Sequence, residues 1–157
     1  MTAILTGPWS REQIADFLDQ QAIPLRLGCH TSSGWPVVAS HWFVYRDGAL
    51  WCATQARAKI VRYLGDDPRC AFELATNGVP YRGVRGQGRA HIDPERGPEV
   101  LRALIARYLG GDESEFAQWL LARARDEVAI RIEPTRLRSW DFGRRMTGGV
   151  SPAPPEA

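Results

Sequence analysis

Lysine is almost missing from this chain of 157 residues: Lys59 is the only one, and the other 19 of its 20 basic residues are arginine. Nucleic-acid binding needs clustered, uncompensated positive charge, and 18 acidic residues bring the formal net charge down to +2. Cysteine is sparse too. Cys29, Cys52 and Cys70 form no CxxC and are odd in number, which argues against a disulfide framework. Each sits in an apolar run, so buried free thiols in a reducing cytoplasm are expected. Cys29 and His30 are adjacent, point to opposite faces of a strand and cannot share a metal; no metal-ligand spacing occurs elsewhere. GxSxG, P-loop and GxGxxG motifs are absent, and Gly83, Gly86 and Gly88 lack the dinucleotide spacing. No apolar run approaches the roughly 18 residues that span a bilayer. The N-terminal MTAILTGPWSREQ has no basic region leading into an apolar core, so neither secretion nor membrane insertion is expected. With 44% hydrophobic and 24% charged residues, the composition is that of a globular chain.

Local patterns give an order of elements. Ser10 and Gln13 have capping-box spacing before a helix whose apolar face is Ile14, Phe17 and Leu18. Pro24 to His30 reads as extended, Thr31 to Gly34 as a turn, and Pro36 to Tyr45 as a second strand. Asp47-Gly48 signals a hairpin returning through Ala49 to Thr54, which predicts an antiparallel meander. Arg57 to Leu64 reads as a short helix and Arg69 to Thr76 as a strand. From Tyr81 to Ile92, Val84, Gly86, Gly88, Ala90 and Ile92 alternate with Arg85, Gln87, Arg89 and His91. Glycines inside a strand weaken it unless another backbone or a flat ligand comes close. Pro98 to Leu109, stopped by Gly110-Gly111, and Ser114 to about Ala124 are expected helices. Val128 to Ile132 and Leu137 to Phe142 are expected strands, interrupted near Pro134. Six or seven short antiparallel strands with peripheral helices predict a small, mainly β (α+β) barrel. Residues 1–145 form one domain in this reading, and 146–157, Pro-rich and polar, a disordered tail.

The chemistry concentrates at Thr54-Gln55-Ala56-Arg57-Ala58-Lys59. A strand ends in a hydroxyl, small residues follow, and a helix opens with two cations. The positive end of the helix dipole disfavours cations unless an anion sits between, and phosphate suits that position. A solvated helix face is the plainer alternative. Arg85, Gln87, Arg89 and His91 form either an anion or partner surface or an outward polar ladder. His41, between Ser40 and Trp42, is either a catalytic group or a packed strand histidine with one hydrogen bond. Trp42, Trp51 and Trp140 fall on predicted strands, where they line a pocket for a flat ring or simply pack.

The run GWPVVASHWFVYRDGALWCATQARAKIVRYLGDDPRCAFELA, followed by PYRGVRGQGRAHID, resembles the pyridoxamine 5′-phosphate oxidase-like family of FMN-binding split barrels over roughly residues 10 to 142. The resemblance implies an antiparallel six-stranded split barrel with peripheral helices, a cytoplasmic homodimer, and FMN in the groove between subunits. It implies that Thr54 is the strand-end hydroxyl near the phosphate and Lys59 the first cation of the family's Ser-Arg-Lys motif. Ala58 and Ile60 replace the serine and the second cation, with Arg57 as substitute. Ser40, His41 and Trp42 then border the isoalloxazine ring, with Trp140 as a further cofactor residue. Gly83 stands where the oxidases have a ring-contacting glutamine, a contact left to Gln87. The ending RLRSWDFGRRMTGG does not match the oxidases, so pyridoxamine phosphate is not the expected substrate. The implied activity is an FMN-dependent oxidoreductase acting on another small molecule. A deazaflavin coenzyme, its anionic tail along Arg82, Arg85 and Arg89, is the alternative, as is flavin or haem binding without turnover.

Overall fold

In a computed structural model of the chain, which describes residues 3–147, most of the backbone belongs to one eight-stranded sheet. The strands are β1 (Ile4–Thr6), β2 (Leu25–His30), β3 (Pro36–His41), β4 (Val44–Arg46), β5 (Ala49–Gln55), β6 (Arg69–Ala75), β7 (Arg82–Asp93) and β8 (Glu127–Asp141). The helices are α1 (Arg11–Gln20), α2 (Lys59–Asp66), α3 (Gly97–Leu109), α4 (Glu115–Leu121) and α5 (Gly143–Thr147). The hydrogen-bonded order is β3-β2-β6-β7-β8-β5-β4, with β1 parallel to β8. The mainly antiparallel barrel with peripheral helices is as expected, with eight strands in place of six or seven and β1–β8 as a parallel pair.

The expected meander is also corrected. Pro36 to Tyr45 is not one strand: it breaks at Trp42-Phe43 into β3, which pairs with β2, and β4, which pairs with β5. These two strands occupy opposite ends of the sheet order, yet only two residues join them. Two extended residues reach about 7 Å, so the sheet must curl until its ends nearly meet. The barrel closes by covalent continuity. Leu25, Leu27, Leu50, Leu74, Ile130 and Ile132, all fully buried, fill its interior.

β5 is buried on both faces. Leu50 and Cys52 point into the barrel, while Ala49 and Trp51 lie beneath α3 against Val100 and Leu104. At α1 the capping box forms: the Ser10 hydroxyl accepts from the Gln13 N–H (3.3 Å) and the Gln13 amide oxygen accepts from the Ser10 N–H (2.8 Å). Ile14, Phe17 and Leu18 are buried as the spacing predicts. The last two expected strands are one, β8, which passes Pro134 through a bulge. Gln87 pairs with Arg136 but Gly88 with Pro134, leaving Thr135 as the extra residue. The β7 glycines answer to protein rather than to a ligand, since a Cβ on Gly86 would collide with the Phe72 ring. Met146, assigned to the tail, lies in α5; residues 148–157 of that expected tail lie outside the described residues. Among the described residues no helix is long and apolar enough to cross a membrane.

Candidate functional site

The turn from β5 into α2 is tightly tied while its side chains stay open. The Ala56 N–H donates to the Asp126 carbonyl and the Ala58 N–H to the Gln55 carbonyl, both at 2.8 Å. Thr54 follows Leu50 and Cys52 in the strand alternation, which puts its half-buried side chain at the barrel rim. Helix α2 begins at Lys59, not at Arg57 as expected, because Ala58 is the N-cap with extended backbone (φ −63°, ψ 138°). No side chain caps this helix and no acid lies in its first turn. Its leading N–H groups therefore lack the oxygen that a serine or aspartate would supply. Lys59 at the first helical position and Arg57 just before it are exposed. Arg57 Nε donates to Gln55 Oε1 at 3.2 Å, and among the described residues neither cation forms an ion pair. This start has the donors and the positive charge that an oxyanion takes.

Ser40, His41 and Trp42 diverge. Ser40 lies on the outer sheet face opposite Arg26. His41 turns inward, where its Nε2 is buried without a partner and burial pushes its pKa down. Trp42 stacks on Tyr108 (4.9 Å, 5°), with Phe116 edge-on at 6.3 Å and Trp119 stacked on Phe116 at 5.9 Å. The Tyr108 hydroxyl donates to the Ile23 carbonyl (3.1 Å) and accepts from the Phe43 N–H (3.3 Å), pinning the junction of β3 and β4. Nothing in the sequence singled out Tyr108, which falls inside the helix expected from Pro98 to Leu109. Trp51, another candidate ring, is buried beneath α3 with Arg46 and Arg96 over it (4.9 and 4.4 Å).

The outer face of β3, β2, β6, β7 and β8 is open, with most of its outward side chains exposed. One cross-strand line runs Ser40, Arg26, Glu73, Arg85, Arg138; the next runs Val38, Gly28, Ala71, Gln87, Arg136. A hollow of about 600 Å³ lies over Gly28, Val38, Ala71 and Gln87, with His30, Arg69 and Arg89 around it. Arg85, Gln87, Arg89 and His91 share this exposed face, as their alternation predicts. Trp140 lies opposite Gly83, and a Cβ on Gly83 would stand 2.6 Å from the Trp140 ring. The tryptophan thus takes the space that a glutamine there would need. Arg136, Arg138 and Ala71 complete this face and were missed, because nothing in their immediate neighbours marks them as binding residues. The three cysteines are free and buried, and burial pushes the Cys52 and Cys70 thiols up to about 12.

No protein-family model and no curated protein matches the chain. Solved structures do. A conserved hypothetical protein of Mycobacterium tuberculosis is 28% identical, over 93% of this chain and 96% of its own, with a TM-score of 0.76. An F420 reductase is 23% identical, over 78% of this chain and 94% of its own, with a TM-score of 0.66. A provisionally named pyridoxamine 5′-phosphate oxidase of Listeria innocua is 14% identical, over 82% and 95%, with a TM-score of 0.63. The overall fold thus recurs in proteins of widely different sequence, and the chain has the split-barrel fold of the pyridoxamine 5′-phosphate oxidase-like proteins.

Proposed function

We propose that this protein is a flavin-dependent oxidoreductase that binds FMN in a groove between two copies of the chain and acts on a small molecule other than pyridoxamine phosphate. The observation that carries the reading is the start of α2, uncapped, free of acids and flanked by exposed Arg57 and Lys59 next to Thr54. These three residues and the leading N–H groups hold the FMN phosphate. The bound flavin supplies the hydride chemistry; the protein binds it, orients it and excludes water. With His41 turned inward and Trp42 committed to Tyr108, Ser40 and the backbone of that segment are what remain beside the ring. Gln87 and Trp140 reach it from the outer face.

The second copy covers that outer face. Val38 is 68% exposed and Trp35, at its edge, 74%, while Gly28 and Ala71 leave the middle flat enough for close approach. Exposed apolar surface of this kind marks an interface.

Titration of the apoprotein with FMN, FAD, haem and a deazaflavin coenzyme, followed by absorbance, tests the reading. FMN is expected to bind most tightly, to a species of about twice 17.5 kDa. Failure to bind any flavin at micromolar concentration removes it. The F420 reductase among the structural neighbours favours a second reading, a deazaflavin in place of FMN, which the same titration separates.

A further inference from the structure

Three arginines line one hollow on the outer sheet face, and no acid is among its walls. The hollow measures about 550 Å³ and takes Arg85 from β7, Arg136 and Arg138 from β8, and Gln87. In the β7–β8 register Arg85 stands directly opposite Arg138 and Gln87 opposite Arg136. Arg136 and Arg138, two residues apart on one strand, point the same way.

Like charges directly opposite one another destabilise a sheet. The acid closest in register is Glu73, opposite Arg85 on β6, but Arg26 stands opposite it on the other side. Among the described residues none of Arg85, Arg136 and Arg138 forms an ion pair. An adjoining hollow of about 400 Å³ shares Arg85 and Arg138 and includes Asp141, whose Oδ1 accepts from the Gly143 N–H at 2.7 Å. Arg85 lies 5.9 Å over the Trp140 ring. Planar guanidinium forks match the oxygens of phosphates and carboxylates, and a concave wall concentrates their field.

We propose that Arg85, Arg136 and Arg138 bind a multiply charged oxyanion, a phosphate ester or a polycarboxylate. This goes beyond the cofactor reading: Thr54, Arg57 and Lys59 do not line the hollow, Gln87 at its wall is shared with the proposed ring contact, and the three arginines need no flavin. The anion removes the repulsion that the register builds in. In a dimer closed over this face, two such clusters meet one interface and the counter-charge matters more.

The test uses the full chain, free of flavin, with inorganic pyrophosphate and citrate as probes and sodium chloride at matched ionic strength as the control. Calorimetric titration is expected to show saturable binding of at least one probe, and thermal melts a midpoint rise that chloride does not reproduce. Pyrophosphate alone points to a phosphate ester, citrate alone to a carboxylate, and both to charge as the main criterion. Arg138→Gln is expected to weaken binding about tenfold or more, the usual result of losing a charge-assisted hydrogen bond. Without a polyanion the same variant is expected to melt no lower than the parent, because it relieves the repulsion. Arg102→Gln, an exposed arginine on α3, is expected to change nothing. FMN affinity in Arg138→Gln is expected to hold, which separates this site from the phosphate site at α2. If Arg138→Gln does not fold, Arg136→Gln carries the same comparison. Melting and titration curves that chloride reproduces, or unchanged binding in the variants, overturn the proposal.

Discussion

Lys59 and Arg57 sit at a helix start where the backbone is already electropositive, so their charges are costly there without an anion. Replacing either with methionine is expected to weaken FMN by about 1.5–3 kcal/mol, the range for a hydrogen bond to a charged group. Riboflavin, which has no phosphate, is expected to lose almost nothing. Parallel titrations of Lys59→Met and Arg57→Met with both ligands decide it; equal losses would mean that this start only shapes the fold. These two residues were legible in the sequence because helix-start rules are local. The roles of His41 and Trp42 were not. Both read as part of one ordinary aromatic strand, and only packing turns one inward and stacks the other on Tyr108, more than 60 residues away.

Among the elements, β8 depends most on context. Pro134 looks like a strand break, yet the bulge at Thr135 absorbs it, and the Thr135 hydroxyl donates to the Gln87 carbonyl at 3.1 Å. The strand opens at Glu127, which pairs with Gln55 next to the α2 turn. Burial raises the Glu127 carboxyl above the usual range, offset in part by the charge of Arg123. A carboxyl with a raised pKa holds its proton more tightly in the folded chain than in the unfolded one. Its contribution to stability is therefore present in acid and lost as pH rises through the folded pKa. Glu127→Gln removes that pH-dependent loss. Thermal melts across pH are expected to find the variant more stable than the parent at neutral pH, with the difference shrinking as the parent's carboxyl protonates. A constant difference across the range would assign the effect to packing.

For the whole molecule, barrel closure decides which surface is left for the second copy of the proposed dimer. The segment through Trp42-Phe43 joins the two ends of the sheet, so the outer face of β2, β6 and β7 is the broad surface left over. Ala71 lies near its middle, exposed and pointing away from the core. Ala71→Arg is expected to leave the barrel folded, shift sedimentation from about twice 17.5 kDa to 17.5 kDa, and weaken FMN along with it. A monomeric variant that keeps its full FMN affinity would sink the shared groove.

The sequence by itself determined the capping box of α1, the stop at Gly110, the alternation of β7, the buried thiols and the cation-rich start of α2. Each of these depends on neighbours within about four residues, where propensity and spacing act without reference to the rest of the chain. Tertiary structure alone decided that β3 and β4 part company, that β1 runs parallel to β8, and that Arg85 meets Arg138 across a register. Such pairings join residues as far as 132 positions apart along the chain, as Ile4 and Arg136 are. They are chosen by which apolar faces can be buried together, a choice that no short stretch of sequence contains.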